Sequence, residues 1–438
     1  MPLKDRFDLP VTCAAPAAVE DYTVAVDLLL SANVGAEDLL ERAIGADPDF
    51  ALVHIARARL LQLRARIPEA RDAAARAKSL CHRVTPRERR HIETIALVVS
   101  GAASEALTMV RAHAAEYPRD ALPLSLALGV FGLLGFSGRR DHHKEQRVLL
   151  EELAPHWPED WWFLGYLGWA QIETGAVAAG TRLVERSLAL NPRNAHAAHQ
   201  RAHGFFEAGD VEGGAAFVGD WLPDYERAGQ LHCHLSWHLA LFELARGNTE
   251  RAMAVYRDAI RPTQALSAPM LSLADSASFL WRWRIYGENP PLDGEWAEVA
   301  AHTRRHFPRA SLAFADVHAA LAEASTGDQR SVLQRIAGLR ELIAAEQLPP
   351  GEVVPSLCAA CAALARDDPE EAARVLEAAL PDLPRIGGSH AQRELFEDTL
   401  IVALMRSGRP DNAAAVLCAR LARRPSQRDR QWLGRVSV

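Results

Sequence analysis

Small and apolar residues return along the chain in one order. Gly, Ala and Pro stand at Gly101, Ala106 and Pro118 in SGAASEALTMVRAHAAEYPRD, and at Gly168, Gly175 and Pro192 in LGWAQIETGAVAAGTRLVERSLALNPRN. Further copies hold Gly247, Ala252 and Ala259, then Ala372, Ala379 and Pro384, then Gly408, Ala413 and Pro425. An early copy ends in ERAIGADPDF, with Ala43 and Pro48. This order predicts helical hairpins. Small residues at the crossing let two helices approach, Gly makes the turn, and Pro stops the second helix. One hairpin cannot bury its apolar face alone, so the units must stack. Ala, Leu and Arg recur while runs of Val, Ile and Thr are scarce, which also favours helix over strand.

The pattern resembles the tetratricopeptide repeat, a unit of about 34 residues. Leu164, Leu167, Gly168, Val184 and Pro192 fit it, while Gly180 and Ser187 stand where alanines are usual. The resemblance implies an all-α, right-handed α-solenoid of tetratricopeptide-like hairpins. A tight curl would close it into a superhelix. No break looks like a flexible linker, so residues 1–438 read as one array after an N-terminal extension of about 1–20. The match is poorest from Arg261 to Asp328, where hairpins with a longer loop at Asn289 to Gly294 are expected.

Composition narrows the function. The formal net charge of -7 argues against a general nucleic-acid partner. No apolar run is long enough to span a bilayer, and MPLKDRFDLP has no apolar signal region, so a cytoplasmic protein without a membrane partner is expected. The six cysteines are scattered. Cys358 and Cys361 form a CxxC among alanines, with no second pair to complete a zinc site, and read as core. FSGRRDHHKEQR reads as a solvated loop or helix start between repeats, or a lid, and RLARRPSQRDR as a solvated final helix.

The densest chemistry runs from Asn194 to Leu244. It holds six of the 17 histidines: His196, His199, His203, His232, His234 and His238. On a helix, His196, His199, His203, Phe206 and Glu207 fall within an arc of roughly 100°. The tetratricopeptide resemblance puts the same five on the concave face of a first helix that starts at Ala195. It puts Trp162, Gly165, Trp169, Ile172 and Glu173 there in the preceding unit, which starts at Trp161. In the following unit it puts His234, Trp237, Leu241, Leu244 and Ala245 there, and His238 shares the face of His234.

Several segments go further and resemble the tetratricopeptide repeat protein 38 family. They are TPRERRHIETI, YPRDAL, NAHAAHQRAHGFFEAGD, HLSWHLALFELARGN, DSASFLWR, FADVHAAL and GGSHAQRELF, spread in order along nearly the whole chain. The departure is Gly204, Phe205 and Phe206 after His203, where the family usually carries an apolar stretch. The family has no firmly assigned chemistry, so the resemblance implies fold and site more than activity. It adds Asp275, Asp316, His318 and His390 to the candidate residues.

Three readings follow. Two His-x3-His pairs place imidazoles one turn apart, the spacing of zinc or iron ligands, so His199, His203, His234 and His238 are candidate metal ligands. Imidazoles with a carboxylate partner can instead do acid–base or hydrolytic work, with His199, His203, His234, His238 and Asp275 as the catalytic candidates. Trp162, Trp169, Glu173, His196, Glu207, Trp237, Asp316, His318 and His390 would then hold a small polar molecule or short peptide in the groove. The alternative is a protein-interaction scaffold whose histidines are structural.

Overall fold

In a computed structural model, residues 3–287 and 289–436 are described, and they are almost wholly helical. Helices pair in antiparallel hairpins. Examples are Ala51–Leu63 with Ile67–Ser79, Trp161–Glu173 with Val177–Leu190, Ala195–Ala208 with Val211–Trp221, and Ala313–Ser325 with Gln329–Ala344. The first helices of the central units begin at Trp161 and Ala195, as expected. The chain is an all-α helical-repeat solenoid of tetratricopeptide-like hairpins.

The two helices of a hairpin are buried differently. Gln329–Ala344 buries Val332, Arg335, Ile336 and Leu339, one stripe at helical spacing. Its partner Ala313–Ser325 is buried at every position except the last. The inner helix therefore meets protein on all sides, which the outer stripe does not. A polar side chain on an inner helix must find a partner or leave a buried group unsatisfied.

Glycine sets the hairpin geometry at two places. Gly175 closes the Trp161–Glu173 helix at φ 90, a region that side chains rarely enter. Gly168 and Gly180 lie at the crossing of that hairpin. A Cβ on Gly168 would sit 2.6 Å from the Gly180 carbonyl oxygen, and one on Gly180 would sit 2.3 Å from the Gly168 oxygen.

The solenoid closes on itself. The His390–Arg406 helix, late in the chain, lies against early ones: the His390 amide donates to Glu173 Oε2 at 3.1 Å, and Arg393 donates to His143 Nε2 at 3.2 Å. Arg385 Nε donates to the Gly138 carbonyl at 2.9 Å. At the other end of the chain, the Ala195 amide donates to the Ser31 carbonyl at 3.1 Å.

Several expectations change. A short strand pair, Leu3–Lys4 with Pro10–Val11, and a helix from Pro16 occupy the stretch assigned to an N-terminal extension, of which residues 1–2 lie outside the described residues. The expected loop at Asn289 to Gly294 ends earlier, because helix begins at Asp293; Glu288, beside it, lies outside the described residues. FSGRRDHHKEQR is not simply solvated. His142, His143 and Gln146 are buried, because closure brings the Arg393 helix over them. The basic final segment is not solvated either. Arg420 and Arg424 are buried against Asp398, Asp429 and Glu394, which neutralise them. Cys358 and Cys361 are free and buried in the core, as read.

Candidate metal centre

Two inner helices build the centre. Ala195–Ala208 starts at Asn194, whose side chain accepts from the Ala197 amide. It carries His199 and His203 one turn apart. His232–Ala245 carries His234 and His238 in the same way. The two rows face each other. Ring centroids lie 4.7 Å apart for His199 and His234, 4.8 Å for His203 and His238, and 5.1 Å for His199 and His238. All four residues are buried, and one nitrogen from each lies within 4.8 Å of the others. Four nitrogens around zinc, at about 2.0–2.1 Å from the ion, stand roughly 3.4 Å from one another. The observed set, with His199 Nε2 and His203 Nε2 at 2.9 Å and all four within 4.8 Å, brackets that spacing.

Two of the outward ring nitrogens meet carboxylates. Asp275 can only accept, so the 2.8 Å contact to its Oδ1 puts the proton on His234 Nδ1. His234 Nε2, on the other side of the ring, is buried without a partner. His203 Nδ1 lies 3.0 Å from Glu173 Oε1, while His203 Nε2 lies 2.9 Å from His199 Nε2. His238 Nε2 is also buried without a partner. Burial, then the neighbouring imidazoles, holds His199 and His238 well below the usual histidine pKa, so both are neutral, the form that binds metal. Trp237 stacks on His234 at an interplanar angle of 10° and donates its indole N–H to Ser278 at 2.8 Å.

Behind His203 lies a second group. One ligand atom each of Glu173, Glu207 and His390 falls within 4.8 Å. His390 Nδ1 lies 3.0 Å from Glu207 Oε1 and 3.9 Å from Glu173 Oε2. Burial alone would lower the His390 pKa, but the two carboxylates raise it. Burial would raise Glu173, but His390 and His203 hold it well below the usual range. With Arg393 alongside, two anions face two cations. The charges of this group already balance, and it needs no metal ion.

The imidazole cluster separates two cavities. One, of about 130 Å³, is walled by Trp162, Tyr166, Trp169, His196, His199 and His234. The other, of about 180 Å³, is walled by Phe206, His238, Phe242, Arg282, Tyr286 and Arg428, among others.

The structure thus brings together His199, His203, His234, His238 and Asp275. It adds Glu173, Glu207 and His390 behind them and Trp162, Trp169 and His196 beside them. Three expected ligand-binding residues stand elsewhere. Asp316 accepts from the Ser311 and Leu312 amides and pairs with Arg335 at 2.5 Å, so it is a helix start and a hairpin clamp. His318 donates to its own helix at Phe314, 2.7 Å away. Trp237 braces His234 and lines neither cavity. Sequence reading missed His143, Arg393 and Arg59. The first two stood in quoted segments, but their meeting spans 250 residues.

No family model matches the chain. Solved structures similar to it include the human IFIT1 dimer with m7Gppp-AAAA, at 12% identity over 99% of this chain and 97% of that one, with a TM-score of 0.45. Yeast Tom70 is 14% identical over 96% of this chain and 87% of its own, with a TM-score of 0.37. The P58(IPK) TPR domain is 16% identical over 89% of each chain, with a TM-score of 0.24. Nothing about the site residues follows from these likenesses.

Proposed function

We propose that the protein is a metal-binding helical-repeat protein, whose four-histidine centre holds a divalent transition ion beside a small-molecule cavity. One observation carries the reading: four imidazoles converge in a buried site while Asp275 holds the opposite ring nitrogen of His234 and Glu173 Oε1 lies 3.0 Å from that of His203. Without an ion, His234 Nε2 and His238 Nε2 are buried polar atoms with no partner, which is costly. With one, they become ligands, and Asp275 and Glu173 become the carboxylates that orient ligating histidines and offset the ion's charge. Imidazole ligands suit zinc, iron, copper or nickel better than calcium or magnesium. Four imidazoles fill a tetrahedral shell, so Lewis-acid action toward a molecule in the cavity walled by His199 and His234 would require the ion to take a fifth ligand.

Membership of the tetratricopeptide repeat protein 38 family belongs to the same proposal. The segments that carry that resemblance hold His199, His203, His234, His238, Asp275 and His390, and these converge in space. Buried ring nitrogens are also unpaired at His91, His113, His142 and His143, so what favours the metal reading over the scaffold alternative is the convergence of four imidazoles within 4.8 Å. Elemental analysis of protein purified without a chelator tests the reading. About one transition ion per chain, lost in His199→Ala and in His238→Ala, is expected. Metal-free protein that also takes up no zinc or cobalt on titration would overturn it.

A further inference from the structure

The 130 Å³ cavity carries an uncompensated charge. Arg59, on the Ala51–Leu63 helix, lines it, and Arg59 Nη1 donates to Gln62 Oε1 at 2.8 Å. Among the described residues, no carboxylate pairs with Arg59 and none lines the cavity. Burial pulls the guanidinium pKa down to about 10, so it stays charged at neutral pH. Its neighbour His196 adds no second positive charge: burial, then Arg59 itself, lowers that imidazole to about 4 and keeps it neutral. The cavity on the far side of the cluster differs. There Arg424 and Arg428 already pair with Glu394, and Arg428 also with Asp398.

A half-buried guanidinium without an anion is a costly feature to keep, and it leaves a cation facing the cavity. The remaining walls are mostly apolar: Leu29, Leu30, Leu63, Leu122, Leu128 and Phe131 stand across from the imidazoles. A dry cavity of about 150 Å³ is enough to hold benzene. We infer that this cavity binds a small monocarboxylate, with its charged end on Arg59 and its apolar body among the leucines, directed toward His199 and His234. One cation within apolar walls matches one carboxylate better than a phosphate or a dicarboxylate, whose further charge would stay unpaired. The inference deepens the reading of the same site, yet it rests on Arg59 and the cavity and not on the metal.

The test uses the full chain, treated with chelator, and benzoate and hexanoate as probes against benzamide and hexanamide. The acids are expected to raise the melting temperature by about 2 °C or more at a hundredfold excess over their dissociation constants, and the amides to do nothing. Arg59→Gln is expected to weaken benzoate by about tenfold or more, the worth of a charge-assisted contact. Arg430→Gln, an exposed change beside the far cavity, should leave benzoate binding intact. Should Arg59→Gln not fold, quenching of tryptophan fluorescence in the native protein decides, with 4-nitrobenzoate expected to quench saturably and 4-nitrobenzamide not. Equal responses to acid and amide, no response to either, or an undiminished response in Arg59→Gln would overturn the proposal. Zinc uptake is measured separately on the same preparation. Failure there with benzoate binding intact sinks the metal alone, and the converse sinks the carboxylate alone.

Discussion

Replacing Asp275 with asparagine keeps the shape beside His234 and removes one charge. Asp275 Oδ1 is 2.8 Å from His234 Nδ1. An imidazole spans roughly 2 Å between its nitrogens and the ion lies about 2 Å further on, so carboxylate and ion are roughly 6–7 Å apart. At an effective dielectric of about 20, a single and a double charge at that separation attract by roughly 5 kcal/mol. That is a ceiling. Glu173 supplies a second anion near His203 Nδ1, at 3.0 Å, and asparagine can still accept the His234 proton. Loss of a carboxylate behind a metal-bound histidine commonly costs 10–100-fold in affinity, about 1.4–2.7 kcal/mol. Asp275→Asn is therefore expected to bind zinc 10–100-fold more weakly than the native protein. Chelator competition at pH 7.5 reads the affinity. A zinc-free melting curve confirms that the variant is folded. His234→Ala, which removes a ligand, should lose more. An Asp275→Asn protein that binds zinc as tightly as the native one would refute the orienting role. If His234→Ala did the same, the site itself would be refuted.

Three further outcomes follow from the packing. Gly168→Ala drives a methyl to 2.6 Å from the Gly180 oxygen, so urea unfolding should show a loss of about 1–3 kcal/mol; an unchanged midpoint would mean that the helices separate freely. Arg420→Met leaves Asp398 and Asp429 buried with one fewer cation, so a loss of about 3–5 kcal/mol and early proteolysis of the C-terminal hairpin are expected, where equal protease resistance would contradict the clamp. His318 has its pKa pushed down by burial to about 4, so the unfolded chain takes up its proton first as pH falls below about 6.5. Its stabilising share is thus complete above that pH and is lost on the way down to about 4. Between pH 7.5 and 5.5 the loss is about 1.3 kcal/mol. His318→Asn keeps a donor for the Phe314 carbonyl and should lose that much less over the same range, and identical pH slopes in denaturant titrations would contradict the assignment.

The hairpins were legible because their signals are local. Pro192 placed the next inner helix at Ala195, where it begins, and the small residues at Gly168 and Gly180 marked a crossing that admits no side chain. The His-x3-His pairs were legible for the same reason: one helical turn puts the two rings of each pair on one face whatever surrounds them. Partners across the closure left no such trace. Glu207 and His390 are 183 residues apart and Arg393 and His143 are 250, so only the curl of the whole array joins them. Position on an inner helix also misled. Asp316 and His318 share the segment FADVHAAL with the family-like residues, yet one turns back to Arg335 on its outer helix and the other to its own backbone. Repeat phase shows which helix is inner. It does not show which way each buried polar group on that helix turns.

That distinction is also what separates the histidine centre from the other polar groups of the interior. Asp120 is equally buried and equally crowded with imidazoles, but His91, His113 and Arg87 all point at it, at 3.0, 3.0 and 2.8 Å. Burial would raise its pKa, and these partners hold it well below the usual carboxylate range. There the anion is the centre and its hydrogen-bond donors surround it. Around His199, His203, His234 and His238 the order is reversed. The carboxylates stand outside, behind two of the rings, and ring nitrogens face inward. Glu173 is already faced by His390, so Asp275 is the anion that a positive charge at the middle would offset. Protons could supply it only by ionising imidazoles that burial keeps neutral, as at His199 and His238. A divalent ion supplies it without that cost, since it replaces hydration with four nitrogen ligands and faces Asp275 and Glu173 at one ring's remove.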